Sequence, residues 1–485
     1  MHRYWPGAAA LLLLSACGSE PATSTAAEAA QGDIDTVAAS PAIDPALMSI
    51  TLGSTAKRLC SSVFVSGRTA AHVLEEELRG AAAQGVSFTV SEDSQTATAR
   101  VAGLSATAVH RPGLGCTLLR NATAEALGAQ FDGAAYPAAA TPNADAMWPE
   151  GTRAADAAPG IDMDAVDAAI ERAFAENDPD HQARTRAVVV VHDGRIVAER
   201  YAAPFDANTP QLGWSMTKTV TNALTGLLVA DGALGVAAPA PVAAWQSEGD
   251  ARREITLDHL LQMSSGLEFS EIYTADAGSD VIDMLYGEGA HAMGAYAAAK
   301  PLAHAPGSHW SYASGTTNLI SAIHRQTFAT QNAYFAFPRE RLFNKLKMAS
   351  AVLEPDESGV FVGSSYMYAT PRDWARMGLL YLQDGVWDGE RLLPEGWVEY
   401  SLAPAAAAPQ GEYGAQIWLN RGAADDAENR PYPQLPTDLY HLSGFEGQNV
   451  VVVPSKRLIV VRMGLTESGP RVIWELVGEV AAAVQ

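Results

Sequence analysis

The residues best suited to chemistry in this chain are Ser215 and Lys218, which lie three positions apart just ahead of a strongly helical stretch. At that spacing a hydroxyl and an amine stand on the same face of a helix, one turn apart. The start of a helix also supplies free backbone N–H groups and a positive potential beside the serine. A buried lysine there can have its pKa lowered enough to take the serine proton. The pair predicts a lysine-activated serine nucleophile, although a helix cap followed by a solvated lysine has the same spacing.

A second polar motif, WSYASG at residues 310–315, contains Tyr312 and Ser314. A Ser-x-x-Lys motif followed by Tyr-x-Ser or Tyr-x-Asn resembles the superfamily of penicillin-binding proteins, class C β-lactamases and D-alanyl-D-alanine peptidases. Further stretches similar to landmarks of that superfamily are residues 255–267 (ITLDHLLQMSSGL), 306–307 (PG) and 368–374 (YATPRDW). The resemblance covers roughly residues 185–485, and the ordered set of motifs is far more specific than any one of them.

The resemblance implies a role for each residue. Ser215 is expected to attack an acyl carbon and form an acyl-enzyme, while Lys218 and Tyr312 share the proton transfers as general base and acid. Ser314 is expected to position Lys218 or the substrate. The backbone N–H groups of Ser215 and Phe445 are expected to form the oxyanion hole.

The third motif of the superfamily, Lys-Thr-Gly on a core strand, is replaced here by YHLSGFEGQ at residues 440–448. Ser443 and Gly444 can stand in for Thr-Gly as substrate-binding residues, but Leu442 takes the place of the lysine. That lysine helps to hold the carboxylate of penicillins and of D-Ala-D-Ala stems, so its loss weakens the case for either substrate. The Ser-Gly-Phe-x-Gly-Gln form is closer to the esterases and the 6-aminohexanoate-dimer hydrolases.

Three further residues near these motifs have open interpretations. His441 is either a substrate contact or a histidine at a strand edge. Glu446 has either a functional role or a place in a solvated turn, and Trp214 either lines the site or packs beside it.

The pattern of elements predicts an α+β fold of the β-lactamase/transpeptidase type. Residues 187–198 form a strand hairpin with an Asp-Gly turn, helices occupy the middle of the chain, and strands return over residues 417–463 before a last helix at 472–484. An antiparallel sheet flanked by helices and assembled from both ends of the domain follows, together with an all-helical region.

The chain divides into five predicted segments. They are a lipoprotein signal peptide (1–16), a flexible tether (17–48), a small α+β N-terminal subdomain (49–148), a linker and helix with Asp164 as the cap (149–184), and the hydrolase domain (185–485).

The first residues predict export. A short apolar stretch at residues 8–14 ends in LSACG, which resembles a bacterial lipobox with Cys17 as the lipidated residue. Gly18 beside it suggests sorting to the outer membrane, so we expect a periplasmic lipoprotein anchored through Cys17. An ordinary secretory signal cleaved nearby is the alternative.

Export also changes the interpretation of Cys60 and Cys116, which are the remaining cysteines. An even pair in an oxidising compartment predicts a disulfide, with two buried free thiols as the alternative. No His-Glu-x-x-His or comparable cluster occurs, so neither a metal nor another cofactor is expected. The formal net charge of −23 argues against nucleic-acid binding.

The sequence therefore predicts a serine hydrolase that cleaves a small ester or linear amide. The first alternative is a D-Ala-D-Ala carboxypeptidase or β-lactamase acting on a short peptide or an antibiotic. A Ser-His-Asp hydrolase is less well supported because Ser215 does not lie in a Gly-x-Ser-x-Gly elbow. A non-catalytic lipoprotein that binds cell-wall peptides is the remaining alternative.

Overall fold

The structure, a computed structural model, describes residues 44–485 except residues 84, 156–157, 177–181, 274–277, 424 and 467–470. Cys17, the signal peptide and most of the predicted tether lie outside the described residues. No helix among the residues described is both long and apolar enough to span a membrane.

The helices are short to medium in length. Along the sequence, most of them come between the first two strands of the main sheet and its last four. They are α1 (Pro45–Phe64), α2 (Ala70–Glu76), α3 (Arg79–Ala83), α4 (Ala124–Ala129), α5 (Met163–Ala173), α6 (Thr217–Ala230), α7 (Leu257–Leu261), α8 (Asp280–Tyr286), α9 (Met293–Ala298), α10 (Ser314–Gln326), α11 (Gln331–Pro338), α12 (Pro371–Leu382), α13 (Trp397–Ser401) and α14 (Arg471–Ala483). A π-helical turn at Arg339–Phe343 follows α11.

The strands form one large sheet and several small ones. They are β1 (Ser87–Ser91), β2 (Thr96–Val101), β3 (Leu104–Arg111), β4 (Gly115–Leu119), β5 (Asn143–Met147), β6 (Gly151–Arg153), β7 (Thr185–His192), β8 (Arg195–Tyr201), β9 (Gln211–Leu212), β10 (Val352–Leu353), β11 (Met367–Ala369), β12 (Val386–Trp387), β13 (Glu390–Arg391), β14 (Trp418–Leu419), β15 (Tyr440–Gly444), β16 (Gln448–Val453) and β17 (Leu458–Gly464).

The main sheet has six antiparallel strands in the order β14-β15-β16-β17-β7-β8. Pairing of β17 with β7 joins the end of the chain to the first hairpin, as the sequence predicts. Side chains alternate across the sheet. Val189 and Val191 face the core shared with α6 and α12, whereas Val188 and Val190 face the core shared with α5 and α14. Helices therefore cover both faces, and the predicted β-lactamase/transpeptidase-like fold is confirmed.

The N-terminal region is a four-stranded meander, β1-β2-β3-β4, against which α1 packs. Cys60 on α1 and Cys116 on β4 form the predicted disulfide. The core of this region continues into the rest of the chain, because Val281 and Met284 of α8 pack into it. Helix α1 begins at Pro45, inside the stretch assigned to the tether, with the Asp44 side chain accepting a hydrogen bond from the N–H of Ala46.

Helix caps follow the sequence signals with one correction. Thr256 caps α7, and Thr370 caps α12 with Pro371 at its first position. The cap of α5 is Asp162, whose carboxylate accepts from the N–H of Ala165. Asp164 was expected in that role and instead lies inside the first turn, where an acidic side chain is also favourable.

Candidate active site

Ser215 lies in a 3-10 turn, Trp214–Met216, that leads directly into α6. The turn is held to the neighbouring small sheet because the N–H of Gly213 donates to the carbonyl of Met367. A side chain at position 213 would collide with the Trp374 ring, so glycine is required for this close approach. Trp214 has a left-handed backbone conformation with φ of 48°. The serine is therefore carried on a sharp, tightly packed turn.

Lys218 lies in the first turn of α6 and is almost completely buried, with 1% of its surface exposed. Its Nζ donates to Ser215 Oγ at 3.1 Å, to Ser314 Oγ at 3.0 Å and to the carbonyl of Ser364 at 3.1 Å. Burial lowers the pKa of Lys218 to about 8, although the charge of Glu271 acts to raise it. A lysine in this state holds a proton loosely and can exchange it with Ser215.

The phenol of Tyr312 lies near Ser215, whose hydroxyl acts to lower the pKa of the phenol. Lys218 Nζ lies 4.8 Å from the centre of the Tyr312 ring. Two aromatic rings fix the phenol, with centroids 5.2 Å away for Trp418 and 5.8 Å away for Tyr413. Burial and the nearby carboxylate of Glu271 raise the pKa of Tyr312, so the phenol keeps its proton.

A carboxylate that no sequence motif indicated, Glu271, joins this group. Its Oε1 accepts from Ser314 Oγ at 2.6 Å and from the Tyr273 hydroxyl at 2.7 Å, and its Oε2 accepts from the N–H of Ser314 at 2.8 Å. Because Ser314 begins α10, this carboxylate lies at a helix N-terminus, where negative charge is favourable. Ser314 thus links Glu271 to Lys218, and Tyr273 lines the pocket beside Ser215.

The end of β15 approaches the same turn. A side chain at Gly444 would collide with the carbonyl of Gly213, so glycine allows the strand to lie against the turn that carries Ser215. Phe445 follows directly, and its ring lies 5.8 Å from the Trp214 ring and 5.2 Å from the Tyr273 ring between centroids. The backbone of Phe445 is thereby brought next to the turn of Ser215.

Glu446 continues the chain with a left-handed conformation, φ 61°. Its Oε2 accepts a hydrogen bond from the indole Nε1 of Trp214 at 3.1 Å. Its Oε1 lies 3.3 Å from the guanidinium of Arg58, which belongs to α1. Glu446 therefore makes specific contacts within the site, and Trp214 both lines the pocket and packs against Phe445.

Two of the predicted binding residues, His441 and Ser443, lie on β15 on either side of Leu442 and do not line the pocket. His441 is buried among aromatic rings, with centroids 6.2 Å from Trp418 and 4.8 Å from Trp474, and burial lowers its pKa to about 3. Leu442 is 1% exposed and belongs to the main core. Ser443 is half-buried and lies opposite Asn449 of β16. His441 thus supports Trp418, which in turn contacts Tyr312.

A pocket opens beside Ser215. It is lined by Ser54, Arg58, Trp214, Ser215, Tyr273, Val281, Ile282, Leu285, Tyr286, Ser314, Ser365 and Phe445. Most of these side chains are apolar or aromatic, which is typical of a site for a small organic molecule. Among the residues that the structure describes, no group of three or more metal-ligating side chains is positioned to hold a metal ion.

Sequence reasoning did not single out Ser54, Arg58, Glu271 or Tyr273. The two α1 residues lie in a region without a motif. Glu271 and Tyr273 lie in an irregular stretch, where a polar side chain has no pattern to distinguish it from a solvated one.

Known proteins with similar sequences and folds exist. The profile of the family described as Beta-lactamase matches residues 166–471. A 6-aminohexanoate-dimer hydrolase from Paenarthrobacter ureafaciens is 24% identical over 298 residues, which cover 58% of this chain and 72% of that protein. The solved structure of EstCE1, described as a hydrolase with promiscuous acyltransferase activity, aligns with a TM-score of 0.51 and 14% identity, covering 66% of this chain and 98% of that one. A penicillin-binding protein homologue from Caulobacter crescentus aligns with a TM-score of 0.50 and 17% identity, covering 67% and 99% of the two chains.

Proposed function

Because the chain belongs to the beta-lactamase family and is a serine hydrolase, we propose that it cleaves a small ester or linear amide through an acyl-enzyme on Ser215. The observation that carries this proposal is the contact between the buried Lys218 amine and Ser215 Oγ, 3.1 Å. A buried amine whose pKa is lowered to about 8 is a suitable base for a serine hydroxyl.

The environments of Lys218 and Tyr312 determine which of them accepts a proton and which donates one. Ser215 Oγ attacks the carbonyl carbon while its proton passes to the neutral amine of Lys218. The bond to the leaving alcohol or amine then breaks, and the leaving group takes a proton from Tyr312, which Lys218 restores. Water then attacks the acyl-enzyme, and the proton transfers run in the reverse order. The acid is released and Ser215 regains its proton. Tyr312 suits the acid role because its raised pKa keeps the phenol protonated.

The N–H groups of Ser215 and Phe445 are the proposed oxyanion hole. The contact between Gly444 and Gly213 supports this assignment because it holds the two backbone segments together. Each such donor contributes roughly 3 kcal/mol to stabilising the transition state.

The pocket favours an uncharged substrate. The cation at the pocket, Arg58, already lies 3.3 Å from each of two carboxylates, Glu77 and Glu446. Leu442 fills the position of the lysine that resemblance associates with substrate carboxylates, and it is buried in the core. These features support a simple ester or amide over a β-lactam or a D-Ala-D-Ala peptide.

The test is the intact mass of the full chain, purified in detergent, after treatment with a fluorophosphonate. We expect one adduct on the wild-type chain and none on Ser215→Ala. Ser365→Ala is the matched control, because Ser365 also lines the pocket while its hydroxyl contacts Ser364, and it should keep the adduct. An adduct on Ser215→Ala would contradict the assignment of the nucleophile. No adduct on any of the chains would favour a non-catalytic binding protein.

A panel of p-nitrophenyl esters, linear amides, a D-Ala-D-Ala peptide and a cephalosporin then separates the substrate classes. Turnover of esters or linear amides is expected. Efficient turnover of the cephalosporin would contradict the proposed substrate class.

We also propose that the protein is exported and anchored in a membrane through an acylated Cys17. The Cys60–Cys116 disulfide supports export because such bonds persist in oxidising compartments. Metabolic labelling with a fatty acid should mark the wild-type chain but not Cys17→Ala. Equal labelling of the two chains would contradict acylation at Cys17.

A further inference from the structure

One wall of the pocket beside Ser215 comes from α1, which precedes the family match at residues 166–471. Ser54 and Arg58 line the pocket and are spaced by one helical turn, so they lie on the same face of α1. Both are partly exposed, whereas their immediate neighbours on the helix are buried. This face of α1 is therefore exposed to the pocket.

Close packing of α1 on α8 creates this arrangement. A side chain at Gly53 would press against the backbone carbonyl of Tyr286 and against the Arg120 side chain, so only glycine fits there. Ser54, the next residue, lines the pocket together with Tyr286. Ile282 and Leu285 of α8 line the pocket alongside. The two helices together form the far side of the cavity.

Contacts on the next turn fix α1 to the hydrolase domain. Lys57 forms a buried ion pair with Glu354, and Ser61 Oγ donates to the same carboxylate at 2.8 Å. The N–H of Cys116 donates to Glu354 at 2.7 Å, so the partner cysteine of the disulfide is tied to the same point. These contacts hold the wall against the rest of the fold.

The lining of the pocket is largely apolar, and none of its described residues carries an unpaired charge. Arg58 is 12% exposed at its side chain, faces Glu77 and Glu446, and lies 5.8 Å from the Trp214 ring. The remaining wall is aliphatic or aromatic, apart from hydroxyl groups. An uncharged hydrocarbon chain would be stabilised there because each buried methylene group loses its contact with water.

We propose that α1 is a specificity-determining part of the active site, whose residues Ser54 and Arg58 shape a pocket for an uncharged, medium-length acyl chain. This inference rests on the proposed acyl-enzyme at Ser215. The N-terminal region then has a direct role in substrate selection.

The experiment compares kcat/KM of the full chain, purified in detergent, for p-nitrophenyl acetate and p-nitrophenyl hexanoate. Ser54→Leu and Ser54→Ala form a matched pair, since both remove the hydroxyl and only leucine fills the pocket. Ser54→Leu should lower the hexanoate-to-acetate ratio by about tenfold, while Ser54→Ala stays within about twofold of wild type. The mono-p-nitrophenyl ester of adipic acid, which ends in a carboxylate, should react at least about tenfold more slowly than the hexanoate in the wild-type chain.

A second variant covers the case in which Ser54→Leu does not fold. Propyl methanethiosulfonate converts the thiol introduced by Ser54→Cys in the folded protein to a propyl mixed disulfide, with release of methanesulfinate. Wild type is treated in parallel to account for its own cysteines. Loss of hexanoate turnover with retained acetate turnover supports the proposal. Equal effects on the two esters, or no effect on the ratio, would overturn it. Failure of the wild-type chain to hydrolyse either ester would instead refute the proposed function, and the inference with it.

Discussion

Trp214 and Glu446 both have left-handed backbones, and the indole Nε1 of Trp214 donates to Glu446 Oε2 at 3.1 Å. Trp214 directly precedes Ser215, and Glu446 directly follows Phe445. Non-glycine residues with positive φ cost of the order of 1 kcal/mol or more each and persist where surrounding contacts enforce them. The hydrogen bond therefore ties together two strained turns, which carry the proposed nucleophile and the proposed oxyanion donor.

Removing the hydrogen bond between Trp214 and Glu446 should reduce catalysis more than substrate binding. We expect Glu446→Ala to lower kcat for p-nitrophenyl acetate by about tenfold, with KM within about twofold, because the Phe445 N–H loses its alignment. Glu446→Gln keeps an oxygen that can accept from the indole, so it should retain most of the activity. The same order should appear in the affinity of a boronic acid, which mimics the tetrahedral state. Wild-type kcat in Glu446→Ala would contradict this role.

The pH dependence of the reaction should report Lys218. Burial lowers its pKa from 10.5 to about 8, and only the neutral amine can accept the serine proton. Activity is thus present above that pKa and is lost as the pH falls through it. We expect kcat/KM for p-nitrophenyl acetate to rise tenfold per pH unit up to about 8 and then to level off.

Lys218→Arg is the informative control for this profile. Arginine keeps the positive charge but does not lose its proton in this range, so the rate should fall by about a thousandfold and the rise near pH 8 should disappear. An unchanged profile in Lys218→Arg would show that another group is the base.

Glu271 should determine the pH at which kcat/KM rises. Its carboxylate favours the charged form of Lys218, so its removal lowers the pKa of the lysine further. We expect Glu271→Gln to move the rise in kcat/KM to lower pH by about one unit. Glu268→Gln, a change to an exposed carboxylate in the same stretch, should leave the profile in place. A shift to higher pH in Glu271→Gln would contradict the assigned charge effect.

The sequence was sufficient to predict the fold and to find residues that the structure brings together around Ser215. Lys218, Tyr312 and Ser314 could be found because each lies in a short motif at an element boundary. The order of those motifs along the chain carries more information than any single spacing. The sheet was predictable because its strands are continuous apolar runs, such as residues 187–191, with turn residues between them.

The rest could not be predicted because it depends on contacts between distant segments. Helix α1 contains glycine and several serine and threonine residues, which have weak helix propensity, and its stability comes from packing on β2–β4 and α8. His441 has a polar side chain and lies on a strand next to the site. In the folded chain, that side chain packs in a cluster of aromatic rings. Glu271 acquires its role only where α10 begins beside it.

The buried ion pair between Lys57 and Glu354 should contribute strongly to the attachment of α1. Both side chains are at most 4% exposed, and burial lowers the pKa of Lys57 against the opposing effect of Glu354. Glu354→Gln leaves the lysine buried without a counter-charge, so we expect a loss of about 3–5 kcal/mol in the free energy of unfolding. Lys57→Met leaves Glu354 with its hydrogen bonds to Ser61 and Cys116, and should cost less.

The double variant Lys57→Met/Glu354→Gln tests whether the two charges act as a pair. It removes both charges at once and leaves an apolar chain beside a neutral amide, so it should be more stable than Glu354→Gln alone. Urea unfolding under oxidising conditions, which keep the Cys60–Cys116 bond intact, measures the free energies. A double variant less stable than Glu354→Gln would mean that the lysine stabilises α1 through its own packing, such as its contact with the Tyr366 ring at 4.1 Å, and not through the ion pair.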